Sequence, residues 1–332
     1  MGMILPVASG KGGVGKTAIT ASLAASLAGM GKDVILVDLD LGASNMHTFL
    51  GVKNRDPGLG GYINKKVTDF ESLMVPTNIP GLRFVSGDAL LPGTANLNYF
   101  MKLKIMKAIT NTSCDFIVLD LGAGTSWNVI DFFSMTRSGL VVTIPETTAI
   151  LNAYSFLKFS LFRMIFRQFP SKGEERLVIS EFLADRIEGT DKSFESLKTI
   201  LAPFGVEAVN IVDNTLNTFS PRIVINRGKT GKDIQVGEKL RQIVSRNLKI
   251  QIEFIGLIPE SPELVPSLFK GVPASVLYPD SQFARSIDRL SEKIAFCPEE
   301  GSALSYYEDA DLNSLKNEYI SLLDPVFFSN LL

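Results

Sequence analysis

Residues 10–17 read GKGGVGKT, which satisfies the spacing G-x-x-x-x-G-K-[ST]. Gly10, Gly12, Gly13 and Gly15, with Val14 among them, form a stretch of backbone free of bulky side chains. Consecutive N–H groups in such a stretch converge on phosphate oxygens, and a helix opening at Lys16, with Thr17 and Ala18 in its first turn, would add its dipole. Lys16 is then placed for the terminal phosphates and the Thr17 hydroxyl for a Mg²⁺ ion. A chance match in a chain this long is about one in a hundred on average residue usage. The loop carries a second lysine, Lys11, which one phosphate chain does not require.

Three carboxylates support the same chemistry. Asp38 and Asp40 follow an apolar run in LVDLDLGASN, and Asp120 closes another in FIVLDLGAG. An acid at the end of a hydrophobic strand is where a Mg²⁺ shell is usually anchored beside bound phosphates. The plainer alternative for each is a solvated loop acid or a helix cap.

These residues need a scaffold that ends several strands at one edge. Short β-rich runs alternate with helical stretches: strands over 3–9, 33–40, 82–87, 114–124, 138–146, 221–227 and 250–260, helices over 16–31 and 97–110. Nearly all-apolar runs such as DVILVDLD fit strands buried on both faces. The alternation predicts a doubly wound, mostly parallel α/β sheet, with ligands beyond the carboxyl ends of its strands. Residues 170–220 break the rhythm with helices and Gly-containing turns and read as a helical elaboration. Residues 298–332 carry seven acids and one lysine and read as an acidic linker with a tail helix, leaving 1–297 as the main domain.

The 332 residues allow a sizeable core, and the net charge of −2 gives no global reason to expect nucleic acid or membrane. Cys114 and Cys297 form no CxxC pair, which argues against a disulfide framework or an iron–sulfur scaffold and for a reducing compartment. His47, the lone histidine, is expected at the surface, and without a second one a metal cluster or Ser–His system finds little support. No secretory leader and no apolar run of membrane-spanning length is expected.

With its lysine directly after the first glycine, KGGVGKT resembles the deviant Walker A signature of the MinD/ParA superfamily. DLDLGASNMHTFLG resembles that family's switch I, LDLGAGTSWNVIDFF its switch II, and TIPETTAI and FIGLIPES further landmarks, over residues 3–170 and 221–295. The likeness is greatest to the MinD/FlhG (FleN) branch. It implies a P-loop NTPase of the SIMIBI type, binding ATP or ADP with Mg²⁺. Two copies would sandwich two ATP molecules, with Lys11 reaching the partner's nucleotide. Asp40 would position the attacking water, Asp38 and Asp120 would belong to the Mg²⁺ sphere, and Asn45 would lie near the γ-phosphate. Asn226, in IVINRGK, would read adenine, with Pro259 and Glu260 lining the base. The bland reading of Asn226 is a turn cap, and of Lys11 a solvated loop lysine.

The family's themes imply a weak, partner-stimulated ATP hydrolase that positions a cellular structure such as the flagellum or the division site. A homodimer formed with ATP, a protein activator or cargo, and a cytoplasmic place follow, with the inner membrane surface as a second location. Two alternatives stand beside it. Residues 222–249 hold eight basic residues against two acids, which a ParA-like DNA-partitioning ATPase could use. A metabolic enzyme of the same fold would need a small-molecule pocket. The helix over 153–169, with five phenylalanines, reads either as a sheet-packing helix or as a regulator's docking edge. The tail places Leu315, Tyr319 and Leu322 on one stripe, either for a membrane surface or for packing back onto the body. Its single lysine and Pro325 disfavour the membrane.

Overall fold

The structure, a computed structural model, describes residues 2–42, 44–53, 58–87, 97–184, 194–296 and 309–323. Eight strands form one sheet: β1 Met3–Ser9, β2 Val34–Leu39, β3 Val75–Pro76, β4 Leu82–Val85, β5 Phe116–Ala123, β6 Leu140–Thr143, β7 Arg222–Gly228 and β8 Glu253–Pro259. Among the described residues the helices are α1 Lys16–Gly29, α2 Met46–Leu50, α3 Leu59–Ile63, α4 Tyr99–Asn111, α5 Trp127–Phe133, α6 Thr147–Gln168, α7 Glu174–Ala184, α8 Phe194–Leu201, α9 Val206–Thr218, α10 Ile234–Asn247, α11 Leu264–Lys270, α12 Ala274–Leu277, α13 Gln282–Ala295 and α14 Ala310–Leu323.

The strand order is β3-β4-β2-β5-β1-β6-β7-β8, parallel throughout except for β3 against β4. The strand order reverses around β1, which lies between β5 and β6. Such a switch point leaves a crevice beyond the carboxyl ends of the strands, because successive crossovers leave to opposite faces. The phosphate loop follows β1 directly into it. β2 (VILVDL) is buried at every position, as a central strand covered on both faces must be. The two-residue β3 has no apolar run behind it, and its Pro76 suits an edge strand, where a missing N–H costs least.

Two apolar cores lie on the two faces. On one, α1 and α13 pack over Leu5, Val7, Leu36 and Val118; on the other, α4, α5, α6, α9 and α10 pack over Val37, Leu119, Val141 and Ile225. α1 is apolar nearly all round and its Ala-rich surface lets it sink against the sheet. It ends at Gly29, two residues before the expected Gly31, whose φ of +80° takes the left-handed turn that releases the chain.

α6 buries Ile150, Phe156, Leu157, Leu161, Phe162 and Ile165, so the phenylalanine-rich stretch is a sheet-packing helix. It also has the length and hydropathy of a membrane span, contrary to the expectation that no segment would, but 56% of that window is buried in the core. α7, α8 and α9, from residues 170–220, stack outside α6, where the Phe162 ring lies 4.6 Å from Phe194.

The tail helix α14 lies on β8 between α10 and α13, with Leu312, Leu315, Tyr319 and Leu322 buried. Arg241 pairs with Asp309 and Asp311, Lys293 reaches Glu318 at 2.8 Å, and the Tyr319 hydroxyl donates to the Gly228 carbonyl at 3.0 Å. The predicted stripe therefore packs back onto the body. Pro325 and the linker 298–308 lie outside the described residues.

Candidate nucleotide site

The sequence of the loop forces its shape. Gly13 and Gly15 hold φ of +79° and +86°, left-handed conformations that an L side chain resists. A Cβ on Gly10 would fall 2.3 Å from the Asn152 backbone of α6, and one on Gly15 would fall 2.3 Å from the Asn226 amide. Gly12 and Gly13 have open space beside them. Val14 is buried beneath the loop and Ala18 is buried on α1. α1 starts with no side-chain cap and no acid in its first turn, so its leading N–H groups face the crevice uncompensated.

Below the loop the acids meet. Asp38 and Asp120 are register partners on β2 and β5, and both carboxylates are buried. Lys16, 6% exposed, places Nζ 2.6 Å from Asp120 Oδ1. Thr17 donates its hydroxyl to Asp120 Oδ2 at 3.0 Å. Asp38 accepts from the Ser44 hydroxyl at 2.6 Å and from the backbone N–H groups of Asp40 at 3.0 Å and Met46 at 3.3 Å. Burial, with the nearby Asp120 charge, still pushes its pKa up to about 7 against those hydrogen bonds. Asp40 is half-buried, its carboxylate 3.4 Å from where a Gly122 Cβ would stand.

The donor set fits a nucleotide with Mg²⁺. Two carboxylates and a hydroxyl are hard oxygen ligands, and Mg²⁺ ordinarily takes one or two protein carboxylates beside phosphate oxygens. Among the described residues no cluster of three acids, histidines or cysteines offers an alternative metal cage. A cation at this place would offset both the burial and the Asp120 charge that raise the Asp38 pKa.

Asn226, at the end of β7, donates Nδ2 to the Val14 carbonyl at 2.7 Å, while its buried Oδ1 has no partner. That free acceptor, beside the loop, suits an exocyclic amino group of a base. Glu260, exposed beyond β8, donates its N–H to the Gly228 carbonyl at 3.0 Å, and Pro259 is the register partner of Gly228. Asn226 thus touches the loop, while Pro259 and Glu260 lie beside Gly228, two residues beyond Asn226 on β7. Asn45 is exposed just before α2.

The second lysine points elsewhere. Lys11 turns away from the acids to Glu146 Oε2 at 2.8 Å and Thr148 Oγ1 at 3.3 Å, at the start of α6. Both ends of this pair are solvent-accessible, at 30% and 55%. His47, expected at the surface, is half-buried on α2, with Nδ1 out of solvent and unpartnered.

Sequence reasoning missed Thr20, Ser44, Glu146 and Thr148. Thr20 donates to Asp120 Oδ1 at 3.0 Å and stands one helical turn beyond Lys16, the spacing that puts two side chains on one face. Ser44 sits six residues after its partner in a loop, where no periodicity marks it.

The comparisons with known proteins agree with this geometry. The ParA family model, described as NUBPL iron-transfer P-loop NTPase, matches residues 1–163. The septum site-determining protein MinD of Thermotoga maritima is 26% identical over 89% of this chain and 88% of its own length. The flagellum site-determining protein YlxH of Helicobacter pylori is 28% identical over 64% of this chain and 69% of its own. The structure of MinD from Pyrococcus horikoshii, complexed with Mg-ADP, superposes with a TM-score of 0.61 at 20% identity, over 89% of this chain and 96% of that one, a likeness of fold. The lysine after the first glycine and the acids on β2 and β5 agree with these likenesses: over residues 1–163 the chain resembles ParA-family P-loop NTPases, and over most of its length it is similar to MinD.

Proposed function

We propose that the protein is an ATP-gated switch: a weak ATPase that dimerises with ATP, separates after hydrolysis, and positions or regulates a cellular structure such as the flagellum or the division site. The divergent placement of the two loop lysines carries the reading. Lys16 is committed to the acids inside its own chain, whereas Lys11 stands at the surface in an exchangeable pair. An exposed pair of this kind is worth about 0–1 kcal/mol, so a second copy's phosphates can compete for the lysine.

The roles follow from position. The loop N–H groups from Gly10 to Ala18 hold the phosphates, and Lys16 exchanges Asp120 for the terminal ones. Thr17, Asp38 and Asp120 hold Mg²⁺. The bound Mg²⁺ supplies charge neutralisation of the transferred phosphoryl group. Asp40 orients the attacking water, and Lys11 acts in trans as an arginine finger does, offsetting charge on the partner's phosphoryl group. Asn226 accepts from adenine through Oδ1, with Pro259 and Glu260 beside the base. Residues 1–297 form the ATPase domain, to which α14 is fastened. The relatives' names, septum and flagellum site-determining proteins, support the positioning role, with a protein activator or cargo as partner and the cytoplasm as location.

The DNA-partitioning alternative is weakened. Two of the eight basic residues over 222–249 are turned inward into ion pairs, Arg222 with Glu253 and Arg241 with Asp309 and Asp311. The test of the switch is Lys11→Ala, which is expected to keep ATP binding and lose ATP-dependent dimers in sedimentation. Dimers as abundant as wild type would sink it.

A further inference from the structure

A second polar cavity lies at the opposite edge of the sheet. It has a volume of about 330 Å³ and is formed by α4, α5, α6 and the turn that enters β6. Its walls include Arg137, Arg167 and Thr136, with Met106, Met135 and Met164 as the apolar part. α6 runs back across the sheet from Lys11's partner Glu146, so this cavity is separated from the phosphate loop by the length of a 22-residue helix.

The charges around it do not balance. The buried carboxylate of Asp131 is shared by three cations: Lys102, Arg163 through Nε at 2.6 Å, and Arg167 more loosely at 3.7 Å. Arg137 lines the same cavity, and among the described residues its side chain has only a sulfur neighbour, Met164 Sδ at 3.9 Å. Four cations therefore face one carboxylate. Thr136, 6% exposed, contributes to the wall, while its hydroxyl is turned out of solvent and has no partner. Arg137 is half-buried and Arg167 about a third exposed, so both guanidinium groups remain accessible from the cavity.

We propose that this cavity is a binding site for a small organic oxyanion, a phosphate or carboxylate on a short apolar body. Arg137 and Arg167 provide a forked set of donors for the anionic head, and the three methionines adapt to the body. Arg167 is free to turn to the ligand because Asp131 keeps Lys102 and Arg163. The site also touches the switch. α5 begins just after the Asp120–Gly124 segment and ends at the cavity, so an anion there would brace the helix that follows the catalytic edge.

The test uses the full chain saturated with Mg-ADP, so that the phosphate loop is filled. Calorimetric titrations with inorganic phosphate, glycerol 3-phosphate and acetate are run at constant ionic strength on wild type, Arg137→Met, Arg167→Met and, as a control, Lys239→Met at an exposed position of α10. The proposal predicts saturable binding of at least one probe, weakened about tenfold or more by Arg137→Met and by Arg167→Met and unchanged by Lys239→Met. Whether phosphate or acetate binds better identifies the head group. No binding of any probe, or binding equal in all four proteins, would overturn it. So would binding only of an acidic peptide added in a parallel titration, which would make the cavity a protein-docking site instead.

Discussion

At the scale of single residues, burial separates the two lysines. Lys16 and Asp120 are a buried pair, so removing one partner strands a charge beside Asp38. Lys16→Ala is expected to cost about 3–5 kcal/mol at neutral pH, read by denaturant unfolding. Lys11→Ala, from an exposed pair, should leave the midpoint almost unmoved, with a change under about 1 kcal/mol. Equal losses for the two would contradict the assigned geometry. Asn226 braces the loop through Nδ2 at Val14, and its buried, unpartnered Oδ1 is the proposed contact to a base. Asn226→Ala should weaken ATP binding by about tenfold or more, and weaken it more than binding of a triphosphate whose base lacks an amino group at that position, as a fluorescent-nucleotide titration would read. Equal weakening of both would leave Asn226 as a brace alone.

At the scale of elements, α4, α5 and α6 are joined through one carboxylate. Burial alone would raise the Asp131 pKa, but hydrogen bonds from Arg163 and Lys102 outweigh it and hold the group below the ordinary carboxylate range. Its stabilisation is then fully present above that range and is lost as pH falls through the folded value. Asp131→Asn is expected to lower stability by about 3–5 kcal/mol at pH 7, with the gap to wild type closing below about pH 4. The tail helix is an element of the same kind, fastened by burial. Leu315→Ala should cost about 2–5 kcal/mol, or, where α14 alone detaches, expose the C-terminus to protease first. The strands and the loop were legible from the sequence because their signals are local. An apolar run ending in an acid gave β2 and β5 with their carboxylates, and the glycine spacing gave the phosphate loop. The short helices α2, α3 and α5 and the edge strand β3 were not read, because elements of two to seven residues hold at most two turns or one alternation, too little for a pattern to stand out. Ser44 lies six residues from Asp38 in a loop without periodicity; Glu146 and the Asp131 junction depend on contacts distant along the chain, such as Lys11 with Glu146 across 135 positions. No sequence window contains those.

At the scale of the whole molecule, the fold brings every proposed phosphate and base contact to one edge of the sheet. It also fastens the tail to that edge through Tyr319 and Gly228. Asp40 is half-buried at the end of β2, and its proposed role is to orient the attacking water, so its loss is expected to block hydrolysis. The direct test of the central claim is the mass of Asp40→Ala by light scattering, with ATP and with ADP. A doubling of mass with ATP alone is the predicted result. A mass that does not change with nucleotide, in a variant that still binds ATP, would contradict the switch and leave an ordinary P-loop enzyme.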